Sequence, residues 1–133
     1  MKHVAKALIF DADDNILLLR RSGTHSRFPY DIDLPGGEVE EGEEALEAVV
    51  REIFEEAGLG VSPQAVTLAF EQTTDERHHM LFTVRLAESS PEVTISWEHD
   101  AHEWVPREEV LLREAKDSYM AIIKTYFDSL API

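Results

Sequence analysis

Glu52, Glu55 and Glu56 stand at i, i+3 and i+4 in the chain. On an α-helix that spacing puts the three carboxylates on one side, within about 100° of arc. Three carboxylates a few ångströms apart repel one another and resist full ionisation unless something compensates. A hard divalent cation such as Mg²⁺ takes oxygen ligands and removes that penalty, so metal binding is the economical reading. Arg51 lies one turn before Glu55 and can pair with it or orient it. Upstream, Leu34-Pro35-Gly36-Gly37 offers a glycine turn at which a backbone carbonyl can approach a cation closely.

The glutamates need a helix, and the pattern around them predicts one. Between Glu38 and Glu56 there are nine glutamates against one base, Arg51, a density that could also belong to a disordered acidic run. Periodicity decides against disorder: Leu46, Val49, Val50, Ile53 and Ala57 fall in one arc of about 100°, the width of a core-facing stripe. Glu56 borders that stripe beside Val49, where its charge is solvated worst. The helix is expected over 43–57, after Gly42, with glutamates suited to the positive end of its dipole and Gly58 suited to a left-handed cap.

The flanks read as strands and turns. Lys6–Phe10 and Ile16–Arg20 form a hairpin about the turn-rich 11–15 stretch, and Ile32–Leu34 is a short extended piece. Val66–Gln72 and Met80–Leu86 are strands, followed by short strands at Thr94–Trp97 and Glu103–Val105. Pro106 opens a helix near 107–114, and the spacing of Tyr119, Ile122, Ile123, Tyr126, Phe127 and Leu130 predicts an amphipathic helix from about Asp117. There is no internal repeat or linker, so 1–133 is expected to be a single domain, an α/β sandwich with a mixed sheet.

Gly37, five residues, Glu43, seven residues, then Arg51-Glu52-Ile53-Phe54-Glu55-Glu56-Ala57-Gly58-Leu59 resembles the Nudix box at all nine of its specified positions. The resemblance implies a Nudix-type α/β/α sandwich with a loop-helix-loop catalytic motif, and hydrolysis of the diphosphate linkage in a nucleoside diphosphate joined to a group X, with Mg²⁺ or Mn²⁺. It implies that Glu52, Glu55 and Glu56 ligate metal, that Arg51 orients a glutamate, and that the Gly37 carbonyl completes the site. Physical reasons agree: cations neutralise phosphate oxygens while a carboxylate takes the proton of the attacking water. Glu43 supports the loop.

Outside the box, 97–105 resembles the family's frequent Glu-His...Trp-Val segment, which makes Glu98 the first candidate general base and Glu103 the second, with Glu52 and Glu55 as alternatives inside the helix. Arg20 and Arg21, ending the second strand, are candidates for phosphate contact, one of them being only a surface charge. Phe28, in a polar loop, is a better candidate than Trp97 or Trp104 for stacking on a nucleobase. His99 and His102, and the adjacent His78 and His79, lack a zinc helix frame, and the turn from Asp11 lacks the glycine and terminal glutamate of a calcium loop.

Composition narrows the partners. With no cysteine, disulfides, thiolate metal sites and cysteine nucleophiles are excluded. Twelve bases against 27 acids disfavour a nucleic acid polymer as partner. No apolar run reaches the roughly 18 residues of a membrane span, so a cytoplasmic location without membrane is the expectation, with a homodimer left open. Relatives acting on ADP-ribose often carry a proline where this chain has Thr74. Relatives acting on dinucleoside polyphosphates often carry a tyrosine in the stretch that lacks one between Tyr30 and Tyr119. A MutT-like nucleoside triphosphate pyrophosphohydrolase leads; the alternative is a non-catalytic module of the same fold that senses a nucleotide or nucleotide-sugar.

Overall fold

The computed structural model describes residues 1–130. Its strands are β1 (Lys2–Phe10), β2 (Asn15–Arg21), β3 (Ile32–Asp33), β4 (Gly36–Glu38), β5 (Thr67–Thr73), β6 (Arg77–Arg85) and β7 (His99–Pro106). The helices are α1 (Ala45–Ala57), α2 (Arg107–Val110) and α3 (Tyr119–Ser129), with one 3₁₀ turn at Pro63–Ala65. Along β1 the side chains alternate across the sheet. Val4, Leu8 and Phe10 join one apolar cluster with Tyr119, Ile122, Ile123 and Phe127 of α3. Ala5, Ala7 and Ile9 join the other, with Val49, Ile53 and Ala57 of α1. Period two in the strand and period 3.6 in the helices therefore build the expected α/β/α sandwich.

The sheet is mixed: β1 and β6 run parallel from Lys2↔Arg77 to Phe10↔Arg85, and the other pairings are antiparallel. The predicted hairpin exists, but β1 and β2 meet only at Phe10↔Ile16. Beyond that pair they separate, and 32–38 enters the gap, with β3 on β2 and β4 on β1. Gly36 makes this insertion feasible. Its φ is +140°, and a Cβ there would lie 2.2 Å from the Ala5 carbonyl oxygen. The expected glycine turn is thus partly a strand.

Other boundaries differ from expectation, and β1, β6 and β7 begin at Lys2, Arg77 and His99 instead of Lys6, Met80 and Glu103. Thr94–Trp97 is not a strand: the Thr94 N–H donates to the Ala57 carbonyl at 2.9 Å, so this segment ends α1 instead of extending the sheet. The helix expected over 107–114 stops at Val110, after which Leu112 and Arg113 hydrogen-bond three residues back. Helix α1 begins at Ala45, because Glu44 is extended and its N–H donates to Glu47, while Gly58 closes the helix at φ +69°.

Candidate functional site

A cavity of about 530 Å³ opens where the sheet divides. Gly36 and Gly37 of β4, Glu52 and Glu56 of α1, and Glu98 in the turn before β7 share its wall. The Gly37 backbone lies against Glu52: a Cβ there would be 3.0 Å from the Glu52 carboxylate. Glu55 is on the same helix face but more than half exposed, and it does not line the cavity.

Arg51 organises the outer carboxylates. It grips Glu43 through Nε at 2.8 Å and Nη2 at 3.1 Å, while Nη1 reaches Glu52 at 2.9 Å and Glu55 at 3.1 Å. Its hydrogen bonds to Glu43 above all raise the guanidinium well beyond its ordinary pKa, and the same contacts lower Glu43. Burial raises Glu52 in spite of Arg51. Glu56 is 4% exposed, and its Oε1 accepts the Gly36 N–H at 2.7 Å. Burial pushes Glu56 up to about 8, although Lys6 and the Gly36 N–H oppose it.

Behind Glu56 lies an ionic layer that single positions in the sequence did not reveal. Lys6 Nζ donates to Asp33 at 2.9 Å and to the Leu34 and Gly36 carbonyls. Burial penalises this lysine, yet the charge of Asp33 raises its pKa overall. Asp33 also faces Arg21 Nε at 3.2 Å and His99 Nε2 at 3.0 Å. Burial would raise Asp33, but Lys6, His99 and Arg21 hold it far below the ordinary carboxylate range. Because that carboxylate is ionised, His99 Nε2 donates to it. The other ring nitrogen, Nδ1, has no hydrogen-bond partner and stands 3.9 Å from Glu56 Oε2. The signal that could have exposed this layer is Lys6, an ionisable residue inside the otherwise apolar run 4–10 of β1.

The donors fit a hard divalent cation. They are carboxylates, two of them with raised pKa values, beside an approachable glycine backbone. Their present orientations serve other partners: Glu52 and Glu55 turn to Arg51, and Glu56 to Gly36. Among the described residues no three such side chains converge on one point.

The remaining candidates separate. A bulge between Arg20 and Arg21 sends the two in different directions. Arg21 is buried in the cavity wall, held by Asp33 and Asp117, so its charge is already matched by protein. Arg20 lies outside this cavity, paired with Asp100 at 2.6 Å. Phe28 also stays out of the lining and carries the Arg27 guanidinium 5.2 Å above its ring. Glu103 is half exposed and bonded to Arg113, beside a different and smaller hollow.

Sandwich, glutamate helix and cleft together define a domain with a carboxylate-lined cavity beside its sheet. The NUDIX domain model matches residues 2–126, and the chain belongs to that family. It is 41% identical over 59 residues to the zebrafish (Danio rerio) m7GpppN-mRNA hydrolase NUDT17; the match covers 44% of this chain and 20% of the relative's length. Among solved structures, a MutT protein from Methanosarcina mazei Go1 has a TM-score of 0.78 at 26% identity, covering 98% of this chain and 96% of the other. The NUDIX domain of Shewanella oneidensis NrtR, complexed with ADP ribose, has a TM-score of 0.77 at 17% identity, over 97% and 88% of the two chains. The chain spans about a fifth of the length of the curated relative it matches. No helix among the described residues is long and apolar enough to cross a membrane.

Proposed function

We propose that this chain hydrolyses the diphosphate linkage of a nucleoside diphosphate joined to a group X, with Mg²⁺ or Mn²⁺, and that nucleoside triphosphates are its leading substrates. The observation that carries this reading is one cavity in which Glu52, Glu56, Glu98 and the Gly37 backbone meet cationic side chains. Glu52, Glu55, Glu56 and the Gly37 carbonyl would hold the cation. When bound, it would neutralise phosphate oxygens and lower the pKa of water at the phosphorus. Arg51 keeps Glu52 and Glu55 oriented. Glu98 takes the proton of the attacking water as the new P–O bond forms and the bridging P–O bond breaks. Its place in the same cavity, with Glu103 bonded elsewhere, favours Glu98 as the base.

The test is release of mononucleotide and of pyrophosphate or X-phosphate from a panel of nucleoside triphosphates and nucleotide-sugars, with Mg²⁺, with Mn²⁺ and with EDTA. Metal-dependent turnover lost in Glu55→Gln supports the reading. Binding of panel members without turnover would point to the sensing module instead.

A further inference from the structure

Glu52 and Glu56 of α1 line one part of the cavity, and arginines line another. Period two sets Lys2, Val4 and Lys6 of β1 on the sheet face that looks toward α3, and Arg77, His79 and Leu81 of β6 on the same face. The parallel register places Lys2 beside Arg77 and Val4 beside His79. Arg27, from the loop after β2, and Asp117, just before α3, reach the same wall.

Most of the cations there are matched. Lys6 faces Asp33 and the charge of Glu56, Arg21 lies between Asp33 and Asp117, and Lys2 pairs with Glu38 at 3.2 Å, which leaves Arg27 and Arg77. Arg27 spends only Nε on Asp117, at 3.2 Å. Arg77 hydrogen-bonds through its backbone to Thr74, and its guanidinium has no partner among the described residues. Asp75 and Glu76 precede it in an exposed turn without pairing to it. His79 is 3% exposed, edge-on to Tyr119 with centroids 5.0 Å apart, and its Nδ1 is buried with no hydrogen-bond partner. Burial first, then the charge of Arg77 with a further contribution from Arg27, keeps this ring less basic than an ordinary histidine. Both guanidiniums line the same cavity as this ring. In a chain of net charge −15, two incompletely matched arginines in a cavity wall make a site for an anion.

We propose that Arg77 and Arg27, with His79 in the same cavity wall, form an anion subsite, so that the group X of the substrate carries its own phosphate or carboxylate beyond the scissile diphosphate. This rests on the hydrolase reading above and narrows it. Nucleoside triphosphates, whose X is a phosphate, satisfy the requirement; nucleotide-sugars with an uncharged hexose do not. The glutamates take the diphosphate, and the arginines read the charge of what is attached to it.

Matched substrates test the subsite. UDP-glucuronate and UDP-glucose differ by one carboxylate, and kcat/KM is measured for both in wild type, Arg77→Gln, Arg27→Gln and a control, Arg85→Gln, whose guanidinium lies over Phe10 outside this cavity. Wild type should favour the charged member, and either cavity variant should reduce that preference about tenfold or more, the scale of one charge-assisted hydrogen bond, while the control keeps it. A second arm needs no turnover: in EDTA, inorganic tripolyphosphate should raise the melting temperature of wild type and of Arg85→Gln more than that of Arg77→Gln. Equal kcat/KM for the two sugars, or an unchanged preference and an unchanged tripolyphosphate shift in Arg77→Gln, would overturn the subsite. If nothing on either panel is hydrolysed with metal, the hydrolase reading fails, and the tripolyphosphate arm alone decides whether the anion site exists.

Discussion

Glu56→Gln should stabilise the metal-free protein at alkaline pH while removing its response to metal. In the folded chain Glu56 titrates at about 8, against an ordinary 4.5, chiefly because burial penalises its charge. Its proton stabilises the fold fully below pH 4.5, and that contribution is lost as pH rises through 8. At 1.36 kcal/mol per pH unit the difference sets a ceiling of about 5 kcal/mol, and relaxation of the site brings the expected gain nearer 2 kcal/mol. Glutamine keeps an oxygen for the Gly36 N–H and carries no charge, so it escapes the penalty. In EDTA at pH 8.5 the variant should melt about 4–8 °C above wild type, and near pH 4.5 the two should converge. Adding millimolar Mg²⁺ or Mn²⁺ should reverse the comparison, because only wild type gains ligation energy in the folded state. Thermal melts by circular dichroism across pH 4.5–8.5, with EDTA or metal, supply every comparison. A variant less stable than wild type in EDTA at pH 8.5, together with wild-type melts that ignore pH, would refute the argument that burial strains this carboxylate.

Asp33→Asn should cost about 3–5 kcal/mol in chemical denaturation, because it leaves Lys6 and Arg21 buried without their shared anion. Glu98→Gln should lower kcat about 10²–10⁴-fold with KM and metal affinity near wild type, whereas Glu103→Gln stays within twofold in the same assay. Gly36→Ala should unfold the chain or cost more than about 3 kcal/mol, since its Cβ would collide with the Ala5 carbonyl. Gly42→Ala, with open space around it, should cost about 1 kcal/mol for its positive φ alone.

What was legible in the sequence was local. Helix α1 announced itself by an apolar stripe and a terminal glycine, and its glutamates by their i, i+3, i+4 spacing, because both depend on neighbours within a few residues. The strand at Gly36–Glu38 was hidden, since its formation depends on β1 and β2 parting to admit it. Thr94–Trp97 has the composition of a strand, yet its backbone finds α1's last carbonyls before it finds a sheet edge. Arg20 and Arg21 looked equivalent until a bulge separated them. The layer of Lys6, Asp33 and His99 was invisible for a related reason: its members lie tens of residues apart, and no periodicity links them.

The parallel pairing of β1 with β6 also orders events during synthesis. The central strand is made well before its long partner, which ends at Arg85. Until that point β1 has only short antiparallel neighbours, and the wall that sets Lys2 and Val4 beside Arg77 and His79 does not exist. Nor can its cover form before α3 supplies Tyr119. Closing so long a loop for the central pairing makes folding slow relative to a helical protein of this size. A ribosome-stalled chain ending before residue 77 should accordingly present the complete glutamate helix to a protease, while a chain that includes α3 should resist it.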